Sequence, residues 1–206
     1  MPELDRDTGP WFQTFTGAKV NPMTLEPEDV RLEDVAHALS LICRFNGHCN
    51  RHYSVAQHSV AGAHVALSSG YWDTEHEYDD RRNLALWFLV HDAAEAYLQD
   101  LPRPVKYADK FFPDADWAVG FREVEHRVQE VCNLSLLGIR QPSQEIEDDL
   151  RKLDDAMLAT ERHQLMGNPE IEWDFLPPPL PGNFPVWHPT QAEKQFLSLF
   201  KELSQT

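Results

Sequence analysis

Three cysteines in 206 residues, Cys43, Cys49 and Cys132, are an odd number with no zinc-like spacing. They make neither a disulfide framework nor a metal knuckle, and reduced thiols in a cytoplasmic protein are the expectation. Basic residues are scarce too. Eighteen lysines and arginines stand against 34 aspartates and glutamates, a formal net charge of −16. So acidic a chain lacks the basic stripe that a nucleic-acid polymer needs. A small anionic substrate, held by a metal and a few local cations, is still compatible with it. No apolar run approaches the roughly 18–20 residues of a membrane span, so no membrane partner is expected. The acidic stretch from Met1 to Asp7 lacks the basic-then-apolar layout of a signal peptide. Strand patterns nearly vanish after residue 20.

What is present reads as helix. Hydrophobic content of 42% and charged content of 25% are ordinary for a globular protein. The length suits one core, and no internal repeat or domain boundary stands out. The spacing predicts a single all-α domain over 1–206, with its core at about 32–166. A flap or short hairpin over 1–31 carries the β-prone Trp11–Gly17. Apolar periodicity predicts helices from Leu32 to about Cys43, from Ser54 as N-cap, from about Arg82 to Gln99, and from about Ala115 to Cys132. A further helix runs from a Ser143 cap to about Met166, and a last one from Pro189 to Ser204. In the 115–132 helix, Trp117, Phe121, Val124, Val128 and Val131 form the expected buried stripe. Its charges, Arg122, Glu123, Glu125, Arg127 and Glu130, read as a solvated face. Residues 68–82 read as a polar surface connection, with His76 solvated. The proline-dense 176–189 reads as an extended strap anchored by Phe184 and Trp187, so that strap and terminal helix together occupy 174–206. Aromatics in this tail suggest a homo-oligomer.

The chemistry gathers in Leu84–Pro102. An apolar run there leads into His91-Asp92, then Glu95, then Asp100-Leu-Pro102. Ionisable groups on a buried helix need partners or a metal. On a continuous helix, Asp92 and Glu95 share a face, and His91 lies about 100° from Asp92. The stretch therefore reads as one wall of a metal site. Asp100–Lys106 contains two prolines, which exclude a continuing helix, and it brings Arg103 and Lys106 close in sequence to that wall.

Other chain segments offer the missing ligands. His58 lies near the start of an apolar helix; such a histidine is more often a satisfied core residue than a ligand, although histidine is the commonest metal ligand. Asp154 falls within the apolar spacing of the 143–166 helix, with Glu161 on the same face seven residues on, while Asp155 competes from a more outward position. The locally basic loop Arg44–Arg51, which includes His48, reads equally as an anion-binding loop or as cations favoured at a helix C-terminus.

Taken in order, His58, His91-Asp92 and Asp154 form the pattern H…HD…D, which resembles the metal signature of the HD-domain metal-dependent phosphohydrolase superfamily. Cys43-Arg-Phe-Asn-Gly-His48, Tyr53-Ser-Val-Ala-Gln-His58, His91 to Lys106, and Asp154 to Arg162 all resemble its small bacterial and phage branch related to 5′-deoxynucleotidases. Thr14-Phe-Thr-Gly17 fits that branch as well. The resemblance implies an all-α HD-domain helical bundle. It implies that His58, His91, Asp92 and Asp154 bind one divalent ion, and its spacing favours Asp154 over Asp155. Glu95 matches the acid that activates or positions water, with Asp92 beside it as catalytic ligand. Arg44 matches a phosphate contact and Asp100 an acid near the sugar. Lys106 and His48 fall at motif positions on the phosphate side.

Two imidazoles and two carboxylates suit Mn, Co, Fe or Zn, with Mg as a further candidate. Such an ion acidifies water and neutralises phosphoryl charge. The expected activity is hydrolysis of a small-molecule deoxynucleotide, dNMP to deoxynucleoside and phosphate, by a metal-activated water. One alternative is a dNTP triphosphohydrolase that releases triphosphate, with a dATP-selective enzyme as one form of it. The other is a nucleotide sensor that binds without turnover. Packing alone is a poor reason for two histidines and two aspartates in this order on three helices.

Overall fold

In a computed structural model, residues 9–68, 78–171, 173 and 175–205 are described. His76 and most of the connection around it lie outside the described residues.

The predicted flap is a two-residue hairpin. Phe12–Gln13 (β1) pairs antiparallel with Lys19–Val20 (β2). Gly17 takes a φ of 88° in the turn between them, a conformation that costs other residues more. Its Cβ-less position is followed by two short 3-10 turns at Pro22–Thr24 and Pro27–Asp29. The hairpin is tied to the first helix through Asp34, whose carboxylate accepts the Thr16 amide at 2.7 Å and the Thr16 hydroxyl at 2.8 Å.

The rest is helical. The elements are Leu32–Leu41 (α1), Val55–Leu67 (α2), Tyr78–Val90 (α3), Glu95–Leu98 (α4), Arg103–Lys106 (α5), Asp116–Leu137 (α6), Gln144–Leu165 (α7) and Pro189–Ser204 (α8). This is the all-α bundle the sequence predicts. The two serine caps form as expected: Ser54 Oγ accepts the Gln57 amide, and Ser143 Oγ accepts the Ile146 amide. Helices α1, α2, α3 and α8 pack on one another, and α7 crosses α2 and α3. Their shared core holds Val35, Leu39, Val60, Phe88, Leu89, Leu153, Met157 and Phe196.

Three expectations need correction. The helix predicted over Arg82–Gln99 is two helices, α3 and α4, separated by a turn at His91–Ala94. The proline segment does stop the preceding helix, as predicted, and it then starts the separate single turn α5, with Pro104 in the first turn, where its missing N–H costs nothing. The stripe on α6 begins later than predicted: Val128 and Val131 are buried, but Trp117 is 54% exposed. Nor is the charged side of α6 uniformly solvated, since Arg122 pairs with Asp109, and Glu125 with Lys106 at 2.7 Å.

The strap is sewn to the bundle. Gln57 Nε2 donates to the Pro185 carbonyl at 2.6 Å. Thr160 accepts the Leu180 amide and Gln164 the Phe184 amide, each at 2.8 Å. Phe184 and Trp187 pack against the core, while Phe196, Leu199 and Leu203 of α8 are buried within it. The tail aromatics that suggested self-association are thus largely used within the chain. Among the described residues, no helix is long and apolar enough to cross a membrane.

Candidate metal centre

The break between α3 and α4 has a visible cause. In an uninterrupted helix the Ala94 amide would donate to the Val90 carbonyl, four residues back. Here the side-chain amide of Gln129, from α6, takes both places. Ala94 N–H donates to Gln129 Oε1 at 2.9 Å, and Gln129 Nε2 donates to Val90 O at 2.8 Å. The same Nε2 also donates to Asn133 Oδ1 at 2.7 Å, which fixes the amide's orientation. Side-chain insertion into the helix ladder is a recognised source of kinks. The chain then proceeds through tighter bonds, Ala93 to Val90 and Glu95 to Asp92.

That turn presents His91 and Asp92 to His58 of α2. His58 and His91 are matched in one respect. Each has its Nδ1 engaged, His58 with Glu161 Oε1 at 2.6 Å and His91 with the Phe88 carbonyl at 2.6 Å. With Nδ1–H donating, each ring keeps a bare Nε2, the state a metal ligand requires. His91 Nε2 is 3.3 Å from Asp92 Oδ2, and His58 Nε2 is 3.8 Å from the same oxygen. Ligand atoms of His58, His91 and Asp92 all lie within 4.8 Å of one another. Asp154 Oδ1, from α7, comes to 3.5 Å from His58 Nε2. Its other oxygen accepts from Arg103 at 3.1 Å, and the same guanidinium reaches Asp155 at 3.2 Å. Asp155 is the more exposed of the two acids.

These residues fit a divalent cation. His58 is fully buried, yet its Nε2 has no hydrogen-bond partner. A buried polar atom left without a partner costs about 1–3 kcal/mol. A positive ion between the two imidazoles and the two carboxylates removes that cost. The His-His-Asp-Asp donor set suits a borderline transition metal.

A second layer surrounds the ligands. Glu161 is fully buried and bridges His58 to Arg44, whose Nε donates to Glu161 Oε2 at 2.9 Å. Burial works against the Glu161 charge, but Arg44 and His58 outweigh it and hold the carboxyl below its usual range. Arg44 likewise resists its own burial, because Glu161, Asp154 and Asp92 keep its guanidinium charged. Arg44 is placed by backbone pairing: its amide donates to Tyr53 O at 3.0 Å, and Val55 N–H to Ile42 O at 3.0 Å. Phe45 and Asn46 next to it adopt positive φ, 56° and 51°, a region seldom occupied by side-chain-bearing residues. Asp92 is partly buried, which works against its charge, but His91, His58 and Arg44 bring its carboxyl down to about 2.

Glu95 behaves oppositely. Burial, then the Asp92 and Asp100 charges, push its carboxyl well above the usual range. Its Oε1 lies 3.5 Å from Lys106 Nζ, and its buried Oε2 has no partner. Burial also raises Asp100. Lys106 is held charged between Glu95 and Glu125 in spite of burial. Burial pushes the Cys49 and Cys132 thiols up to about 12, so neither is a thiolate near neutral pH.

A cavity of about 880 Å³ opens over the centre. Arg44, Asp92, Glu95, Asp100, Lys106 and Asp154 line it. Of the residues singled out from sequence, His48 stands apart: it is exposed and does not line the cavity. Glu161 was visible only as an acid on an inward helix face. Gln129 and the aromatic residues around 173–175 gave no sequence signal as site residues.

A family model described as 5′-deoxynucleotidase YfbR-like matches residues 34–147, more than half of the chain. The chain is 29% identical to the uncharacterized protein YfdR of Escherichia coli (strain K12) over 198 residues, covering 95% of this chain and 96% of that one. An uncharacterized protein of Rhodobacter capsulatus is 32% identical over 100 residues, 48% of this chain and 47% of its own length.

Proposed function

The chain belongs to the 5′-deoxynucleotidase YfbR-like family, an HD-type phosphohydrolase group, and on that premise we propose that it hydrolyses deoxynucleoside 5′-monophosphates to deoxynucleoside and phosphate. The observation that carries the reading is the unpartnered Nε2 of buried His58, facing His91, Asp92 and Asp154 on the floor of the cavity. His58, His91, Asp92 and Asp154 would hold one divalent ion. The chemistry supplied by such an ion is Lewis acidity, which acidifies water and offsets phosphoryl charge.

The chain's own residues do the rest. Glu161 and the Phe88 carbonyl fix the two imidazoles in the ligating tautomer. Glu95 Oε2, buried and free of partners, takes the proton of the attacking water. Burial, with the Asp92 and Asp100 charges, raises its proton affinity and so makes it a stronger proton acceptor than an ordinary carboxylate. Arg44 stabilises charge that grows on the phosphoryl oxygens, and Lys106 adds a second cation at the same wall. Asp100 lines the same cavity, which supports assigning it the sugar contact. As the bond from phosphorus to the 5′-oxygen breaks and the bond to the water oxygen forms, the leaving oxygen takes the proton that Glu95 received, and Glu95 returns to its carboxylate.

A second reading draws on the cavity itself. Arg103 and Lys110 line it beyond Arg44 and Lys106, which gives charge and room for two more phosphates and hence for a dNTP releasing triphosphate. Chromatography of the products from dNMP and dNTP panels separates the two, since only one yields triphosphate. Tight nucleotide binding without any product would instead mark a sensor.

A further inference from the structure

Two of the most exposed large apolar side chains, Phe111 at 74% and Phe175 at 73%, lie on the lining of the cavity that contains Asp92 and Glu95. Trp173 joins them there, its ring 14° from parallel with that of Phe175 and 6.1 Å from it, centroid to centroid. None of the three belongs to the buried core or packs against it. Neither the fold nor the metal centre makes use of them. Aromatic faces left in contact with water at the rim of a polar site are a surface for another flat π-system.

The lining of the cavity is of two chemical kinds, charged and aromatic. Asp92, Glu95 and Asp154 with Arg44 and Lys106 make the charged part, beside the two imidazoles grouped with Asp92, and suit a phosphate and a metal. The aromatics come from two segments distant in sequence that both line this cavity: Phe111 follows α5, and Trp173 and Phe175 precede the strap. About 880 Å³ is far more than a phosphate ester needs and lies near the upper range of small-molecule sites.

We propose that Phe111, Trp173 and Phe175 form a nucleobase subsite, stacking on the base of the deoxynucleotide whose phosphate is held over the metal centre. The inference rests on the proposed reaction for its choice of ligand. Stacking on such faces is tolerant of base identity, because every base has a π-face. The subsite therefore selects nucleotides over base-free sugar phosphates, with little preference among the four bases. Larger purines gain most, since they cover more aromatic surface.

Equilibrium binding to metal-stripped protein tests this without turnover. Titrations use dAMP, dCMP and 2-deoxyribose 5-phosphate, with the wild-type chain and the F111A, W173A and F175A variants. The expected result is at least about tenfold tighter binding of the nucleotides than of the sugar phosphate. That advantage shrinks in each variant, while affinity for the sugar phosphate is unchanged. Equal affinity of the wild type for nucleotides and sugar phosphate overturns the subsite, and so does an advantage that all three variants retain. Turnover with metal restored is read in parallel. Absence of hydrolysis with a base-dependent affinity intact removes the proposed reaction and leaves the subsite standing.

Discussion

The side-chain amide of Gln129 occupies the gap between Ala94 N–H and Val90 O, where an unbroken helix would have its own hydrogen bond. Through that one insertion α6 reaches across to set the direction of His91 and Asp92. Gln129→Leu leaves the Ala94 amide without a partner, while the Val90 carbonyl keeps only the Ala93 amide, at an expected cost of about 1–3 kcal/mol. Metal affinity is expected to fall roughly 10–100-fold, as for loss of a residue that orients ligands. Denaturant unfolding and metal titration read the two effects separately. An unchanged metal affinity contradicts the positioning role.

Glu161 serves His58 and Arg44 at once. Glu161→Gln leaves the Arg44 charge poorly compensated and is expected to cost about 3 kcal/mol, the range for breaking a buried pair. The pH dependence follows from the sign of the shift. The folded carboxyl titrates below its ordinary value. Its contribution is therefore complete above the unfolded pKa and is lost as pH falls through the folded one. Tm should drop steeply below about pH 4 in the wild type, and less steeply in the variant. Parallel acid profiles for the two proteins would exclude Glu161 as the source.

Glu95 as proton acceptor predicts a loss of about 10²–10⁴-fold in kcat for Glu95→Gln, with metal stoichiometry retained. Burial raises its pKa and Lys106 partly lowers it again. Lys106→Met should therefore raise it further and move the acidic limb of the kcat profile to higher pH. A limb that moves down, or stays in place, argues against Glu95 as the base.

Gly62 on α2 faces the ring of Phe88. A Cβ built at Gly62 would stand 2.0 Å from Phe88 Cε1. Gly62→Ala must displace Phe88, whose carbonyl holds His91. Overpacking of this kind costs about 1–3 kcal/mol. Thermal unfolding and metal titration should both register the change, the second more than for a substitution elsewhere on α2.

Much of the helical plan is legible in the chain because its signals are local. The Ser54 and Ser143 caps, the Pro189 start of α8 and the apolar periods of α1 and α7 each act within a turn or two. The pairing of His58, His91-Asp92 and Asp154 is legible through their order along the chain. What escapes is set by contacts distant in sequence. The helix appears continuous through His91 until Gln129, 35 residues from Ala94, is inserted into it. Trp117 has helical periodicity with Val124 and Val128, yet the bundle does not extend far enough to cover it. Arg122 and Glu125 look like solvent-facing charges because Asp109 and Lys106, their partners, lie beyond the helix.

The most direct measurement is hydrolysis of a dNMP and dNTP panel by metal-stripped protein, with Mn²⁺, Co²⁺, Zn²⁺ or Mg²⁺ added back and Asp92→Ala as control. A metal-dependent 5′-deoxynucleotidase predicts phosphate release from dNMPs that appears with added metal and is absent in the variant. Undiminished release by the Asp92→Ala protein, or no release by the wild type with any metal, would contradict it.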